Sequence, residues 1–357
     1  MKSNFLILLF FLFPGPLVLA AQLQVLQGSN SSELDVFDLV KAISPDGQKI
    51  VGSITSADGL PKPMEWTFDG ERYLARDLDL VGDKGAGLAV IGDRYLLANL
   101  ATADGKPQMI YLARENRRQV KRLIGAPGQA AVTAMTSGND NVYVVGSVNR
   151  QAFIWKESSG EQSLLPTGKQ ADKSEALTIS EDGQWVAGGI SGPGFYQAVV
   201  WQRLDDGFKM KELPQFDPKL PFAKVSGLST DGQIIAGAVM TNRGLRAAVW
   251  IDDAQPIILP APQNTLAAFA TGMSTDGKRI VGQIKFQNSD GSLRESSFLW
   301  EEATGTRLIE DLLSAKDREQ VTAWKQFQAE LIAADGKTVA GLAMNDSQKK
   351  LVWSLRL

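Results

Sequence analysis

The sequence predicts an all-β fold: a seven-bladed β-propeller of four-stranded blades, closed by the N-terminal strand, with a short helix inserted before the last blade. Three observations lead there. One phrase recurs down the chain: an apolar strand, a Ser-x-Asp-Gly turn, a strand ending in Gly, a loop, and a strand ending in Trp. Its tryptophan position falls at 66, 112, 155, 201, 250, 300 and 353, at spacings of 43 to 53 residues. Glycine, at 34 of 357 residues, exceeds the usual share of about 7%, a bias of turn-rich chains that need positive φ.

The copies can be taken in order. The first has Ile43-Ser44-Pro45-Asp46-Gly47, Gly52 and Trp66, and the last has Ala334-Asp335-Gly336, Gly341 and Trp353. Three are nearly complete. They carry Asp182-Gly183, Gly188 and Trp201; Asp231-Gly232, Gly237 and Trp250; and Asp276-Gly277, Gly282 and Trp300. Two have drifted. One keeps Gly146 and Trp155 but has Gly138-Asn139-Asp140-Asn141 at the turn; the other has Gly92-Asp93, then Ala98 for the glycine and Leu112 for the tryptophan. Asp-Gly between apolar runs predicts a two-residue hairpin with both central residues at positive φ. Polar turns after each tryptophan, such as 156–160, lead into a short fourth strand such as 162–165.

The chain ends four residues past Trp353, so the last copy lacks a fourth strand of its own. Leu23-Gln24-Val25-Leu26 resembles the fourth strands of other copies and is expected to supply it, closing the ring and removing its exposed edges. Apolar residues at 308, 309, 312, 313 and 315 predict the helix before the last blade, over 308–321.

Residues 1–20 read as a secretory signal peptide and 21–357 as the propeller. Lys2 is followed by an apolar run over 5–13 and small residues at the end, with cleavage expected after Ala20 or Ala21. The Pro14-Gly15-Pro16 interruption argues against a membrane anchor, and no later segment has spanning length. Export without cysteine suits a bacterial envelope, periplasmic or extracellular, where Asn30-Ser31-Ser32 would be inert as a glycosylation signal.

Cysteine and histidine are both absent, which removes thiolate and imidazole metal sites, Ser-His and Cys-His nucleophiles and the commonest general base. A net charge of −3 offers no field for a phosphate backbone, so nucleic acid is not an expected partner. No cofactor, metal site or catalytic motif is read, and an enzyme is not expected.

The tryptophans recur at one position in six of seven copies, as packing between neighbouring blades requires. The Asp-Gly aspartates are about one blade apart, unlike the clustered oxygens of a calcium site. Arg114, Arg117, Arg118, Lys121 and Arg122 form a basic cluster read as a solvated face. The segments 54–63, 100–108, 191–197, 211–224, 285–295 and 313–329 read as long, variable loops on one face, where a rigid scaffold places binding residues. Phe195, Tyr196, Arg243, Arg246, Lys285, Phe286 and Arg294 are their candidate ligand-contacting residues.

The repeat, with Ser-Pro-Asp-Gly at 44–47, resembles those of WD-repeat and TolB-type propellers. It is more similar to bacterial extracellular HAF-repeat proteins, whose His-Ala-Phe segment precedes Leu-Trp. Gln151-Ala152-Phe153-Ile154-Trp155 is the best example, followed by Gln197-Ala198-Val199-Val200-Trp201 and Ser296-Ser297-Phe298-Leu299-Trp300. This chain departs from that pattern in having no histidine. The resemblance implies an exported propeller and assigns no mechanism.

The function expected is that of a monomeric binding or scaffolding module for an envelope protein or extracellular ligand. The alternative is a carbohydrate-binding protein, or a carboxylate-based carbohydrate-active one, which would need two carboxylates roughly 5 to 9.5 Å apart.

Overall fold

A computed structural model describes residues 21–26, 39–55, 61–77, 85–91, 95–101, 107–113, 122–124, 130–136 and 141–357 apart from 289, 346, 348 and 349, with 85–124 described as backbone. The leader, the 30–32 triplet and Arg114, Arg117, Arg118 and Lys121 lie outside the described residues.

The strands in chain order are Gln22–Leu26 (β1), then Leu39–Ile43, Lys49–Thr55, Pro61–Phe68 and Tyr73–Asp77 (β2 to β5). Gly85–Ile91, Tyr95–Ala101, Pro107–Ala113 and Arg122–Ile124 are β6 to β9; Ala130–Thr136, Tyr143–Val148, Gln151–Lys156 and Glu161–Leu164 are β10 to β13. Lys173–Ile179, Trp185–Gly192, Phe195–Leu204 and Gly207–Glu212 are β14 to β17; Ala223–Leu228, Ile234–Thr241, Gly244–Ile251 and Ile257–Ile258 are β18 to β21. Thr265–Met273, Arg279–Gln287, Leu293–Glu301 and Gly305–Leu308 are β22 to β25, and Gln326–Ile332, Thr338–Met344 and Lys350–Arg356 are β26 to β28.

Each set of four pairs in sequence order as an antiparallel sheet, and β1 joins β26 to β28 as the outermost strand of the last. Four antiparallel strands fix the two faces. Turns after the first and third strands emerge on one face, here the turn face. Hairpins after the second strand and the links between sheets emerge on the other, the link face.

The Asp-Gly turns differ from the expected two-residue form. Only the glycine has positive φ, between 67° and 74° at Gly47, Gly183, Gly232, Gly277 and Gly336. Gly183 N–H donates to Ser180 O at 3.0 Å and Ser180 N–H to Trp185 O at 2.8 Å, enclosing a four-residue loop built on a type I turn with a left-handed glycine. Ser180 Oγ donates to Asp182 Oδ1 at 2.6 Å; that oxygen accepts Gln184 N–H at 2.9 Å, and Trp185 N–H donates back to Ser180 Oγ at 2.9 Å. The same bonds recur at Ser44 and Asp46, Ser229 and Asp231, and Ser274 and Asp276. The aspartate oxygen is thus committed to its own turn. The Ser229 hydroxyl and Gln233 N–H hold the Asp231 carboxyl below its usual range.

The glycine of each second strand answers to a bulge. Inner strands β10, β14, β18, β22 and β26 each carry a one-residue bulge opposite this glycine, β22 with a second at Thr265/Ala267, and the bulge pushes a carbonyl against the opposing residue. A Cβ on Gly188 would lie 2.0 Å from Glu175 O, and Gly146, Gly237, Gly282 and Gly341 are as confined. Gly188→Ala should therefore cost more than the about 1–3 kcal/mol of ordinary overpacking. Gly194→Ala, at a hairpin tip with φ of 82° and no atom within 4 Å, should cost about 1–2 kcal/mol. Equal melting shifts for the two variants would refute the bulge account.

Packing joins one sheet to the next. Trp66, Trp201, Trp250 and Trp353 are fully buried. Trp201 packs with Tyr143, Val145 and Ile154 of the preceding sheet, Trp250 with Ala187, Val200 and Leu213, Trp353 with Val281 and Leu299, and Trp66 with Ala340 and Val352. The tryptophans are spacers between blades, as the repeat implied.

The blade count needs correcting against the sequence reading. Every copy forms a four-stranded sheet, but the expectation of seven equivalent blades does not hold. Among the residues whose side chains are described, packing defines six blades, and Ile43, Met135, Ile179, Leu228, Met273 and Ile332, one from each, line a cavity of about 250 Å³. The sheet of 85–124, beside the first and third copies, is described as backbone only. Its sequence has Leu112 where the interlocking copies have the tryptophan that packs between blades, and Ala98 where they have the glycine that faces the bulge.

Closure follows the expected route. β1 pairs with β28, Val25 opposite Trp353. It also reaches the first sheet: Tyr73 N–H donates to Gln24 Oε1 at 2.8 Å and Gln24 Nε2 donates to Tyr73 O at 3.1 Å. The inserted helix is shorter than expected, a 3-10 turn at Ile309–Leu312 followed by α1, Ala315–Thr322. Ser314 caps α1 by accepting Asp317 N–H at 3.2 Å, and Val321 and Trp324 anchor it in the core between the last two sheets. Among the described residues no helix is long and apolar enough to cross a membrane.

Candidate ligand-binding site

The link face is shaped by bonds that fasten links to blades. Trp201 Nε1 donates to Pro166 O and Trp250 Nε1 to Pro214 O, both at 2.8 Å, so the packing tryptophans also pin the links 165–172 and 213–222. The residue four before the tryptophan adds a second clasp. Gln151 Nε2 donates to Leu165 O at 3.2 Å, Gln197 Nε2 to Leu213 O at 2.5 Å, and Ser296 Oγ to Glu310 Oε2 at 2.5 Å.

Between the two pinned links lies a recess of about 550 Å³ on the fourth sheet, lined by Gly168, Lys169, Gln170, Ala171, Ile190, Phe195, Gln197, Glu212, Gln215 and Pro221. That size suits small-molecule sites, which run from about 300 to 1,000 Å³. Its frame is hydrogen-bonded on all sides. Ala171 N–H donates to Gly168 O at 3.1 Å, Asp172 N–H to Ser191 O at 2.8 Å, and Tyr196 N–H to Pro221 O at 3.0 Å. Gln197 is buried, its Nε2 also donating to Ala198 O at 3.0 Å and its Oε1 accepting from Gln215 Nε2. Lys169, Gln170 and Glu212 are exposed at the rim and, among the described residues, make no side-chain hydrogen bond or ion pair.

Of the residues expected to contact a ligand, Phe195 alone lines the recess. Tyr196, next to it on β16, turns away and donates from its hydroxyl to Glu175 Oε1 at 2.5 Å across the close approach at Gly189. Burial first, then the Glu175 carboxylate, hold that phenol protonated far above its usual range. Arg246 is a strut: its guanidinium donates to Leu245 O, Leu266 O and Thr265 O at 2.8, 2.9 and 3.1 Å. Desolvation, and secondarily Arg243, lower its pKa. Lys285 pairs with Glu295 and Arg294 with Glu310, each at 3.2 Å, and Phe286 packs against the core between the fifth and sixth copies. Arg243 alone stands exposed at a hairpin tip, between β19 and β20.

The seven candidates therefore sit on three separate hairpins and form no single site. Segments 191–197 and 285–295, read as loops, are largely extended strand ends with tight tips. The lining residues Gly168, Lys169, Gln170, Gln197, Glu212 and Gln215 were not among the candidates. Gln197, opening the Gln-Ala-Val-Val-Trp phrase, carried the one usable signal: a polar residue held at the same distance from tryptophan in several copies.

Comparison with protein-family models finds none that matches the chain, and comparison with curated proteins finds none that matches. Solved structures do match. The β-propeller domain of the Trilobed protease from Pyrococcus furiosus aligns with a TM-score of 0.58 at 10% identity, over 89% of this chain and 95% of that one. A chain of the Mitotic Checkpoint Complex aligns with a TM-score of 0.52 at 14% identity, over 100% and 99%. A putative TolB from Agrobacterium tumefaciens aligns with a TM-score of 0.45 at 12% identity, over 90% and 91%. At these identities the likeness is one of fold, that of a β-propeller. The archaeal domain is described as having an open velcro topology, whereas here β1 is hydrogen-bonded into the last sheet.

Proposed function

We propose that this chain is an exported binding module of the bacterial cell envelope, working as a monomer, whose link face takes an envelope protein or extracellular ligand without chemical conversion. The observation that carries the proposal is the recess on the fourth sheet. Its rim is held by tryptophan and amide clasps, while Lys169, Gln170 and Glu212 are left unengaged. A preformed site spends little free energy on ordering when it is filled. On the turn face, by contrast, the recurrent Ser-Asp pairs are occupied in shaping their own loops. Export rests on the leader at 1–20, and the similarity to HAF-repeat proteins points the same way.

The test is site-specific photo-crosslinking in cells. Probes at Lys169 and Arg243 on the link face are expected to capture an envelope component, and probes at Asp206 and Glu302 on the turn face to capture none. Mature chain beginning at Ala21 or Gln22 is expected outside the cytoplasm. Capture from the turn face alone, or an uncleaved cytoplasmic chain, would overturn the proposal.

A further inference from the structure

The geometry of the recess points to its ligand class: we infer that it binds a neutral saccharide, with Phe195 as the stacking surface and Gln170, Glu212 and Lys169 as hydroxyl partners. The inference deepens the binding-module reading and rests on it. The lining is charge-balanced, one ammonium on Lys169 against one carboxylate on Glu212, so neither an anion nor a cation is favoured. Gln170 offers an unengaged side-chain amide, and Gln215 keeps its carbonyl oxygen beside the N–H it gives to Gln197, so donors and acceptors lie together, which hydroxyl groups need because each both donates and accepts. Phe195 and Pro221, both partly exposed, offer apolar surface for the C–H faces of a sugar ring. The volume of about 550 Å³ accommodates a unit of about two rings.

β16, which carries Phe195 and Gln197, cannot take a peptide as an added strand, because it is already paired on both edges, with β15 and β17. The recess holds one carboxylate, Glu212, half of the pair that glycosidic cleavage needs. The site is thus built to hold a sugar, on links that are pinned before it arrives.

The test uses the mature chain on an array of neutral and acidic glycans, followed by calorimetric titration of the neutral saccharide that binds. Its Kd should change less than about twofold when salt is raised, since screening acts on charged ligands. Gln170→Ala and Glu212→Ala, exposed and without internal partners, should each weaken it about tenfold, the effect of about 1.4 kcal/mol. Phe195→Leu, which keeps apolar volume but removes the ring, should weaken it by at least as much. The inference is overturned if no neutral saccharide binds the folded protein, if binding ignores these variants, or if only acidic glycans bind. Capture of a protein on the link face that Gln170→Ala and Glu212→Ala leave unchanged would retain the binding module and remove the sugar.

Discussion

A chain starting at residue 27 should lose cooperative folding, or melt more than about 10 °C below the mature protein. Removing β1 strips five paired residues from β28 and exposes the edge that carries Trp353. It also removes Leu26, which is fully buried between the first and last sheets. A Leu→Ala change at such a site costs about 2–5 kcal/mol by itself, and whole domains have only about 5–15 kcal/mol. The Gln24 bonds to Tyr73 would go as well, so the deletion opens two sheets at once. Leu26→Ala should fall partway between. A truncated chain melting within a few degrees of the mature one would show that β1 is not the closure.

Trp201→Ala should destabilise by about 3–5 kcal/mol, the range for emptying a buried aromatic site. Its ring fills the core between the third and fourth sheets, and its N–H holds Pro166. Trp201→Phe separates these roles. It should recover most of the stability, short of the about 1 kcal/mol of a lost hydrogen bond, while leaving the 165–172 link free to move. Hydrogen exchange at Ala171 and Asp172 should then rise in both variants, although only the alanine variant melts early. Unchanged exchange in Trp201→Phe would mean that the indole N–H does not fix the rim.

What was legible in the sequence was whatever repeats. Trp201 and Trp250 recur because each sheet must be spaced from the last, and the repeat located them, the hairpins and the closure strand without coordinates. The turn was misread because Asp-Gly resembles a two-residue hairpin. The serine three residues before the glycine changes that, capturing the aspartate and setting a longer loop. The strand pattern makes the second copy look like an equal blade, although Leu112 stands where the others have the tryptophan that packs between blades. The candidate site was least legible, since a recess belongs to no single copy. Gly168 lies on the third-to-fourth link and Gln215 on the next, and nothing in their local sequence says that Gln197 brings them together. Charge and aromaticity drew attention to Arg246 and Tyr196, whose side chains are spent on Leu266 and Glu175 inside the protein.

The most direct measurement is hydrogen exchange of the mature chain with and without its captured ligand or partner. Protection should concentrate at 168–171, 190–197 and 212–221. Protection confined to the turns around Asp46, Asp182, Asp231 and Asp276, with those segments unchanged, would contradict a link-face site.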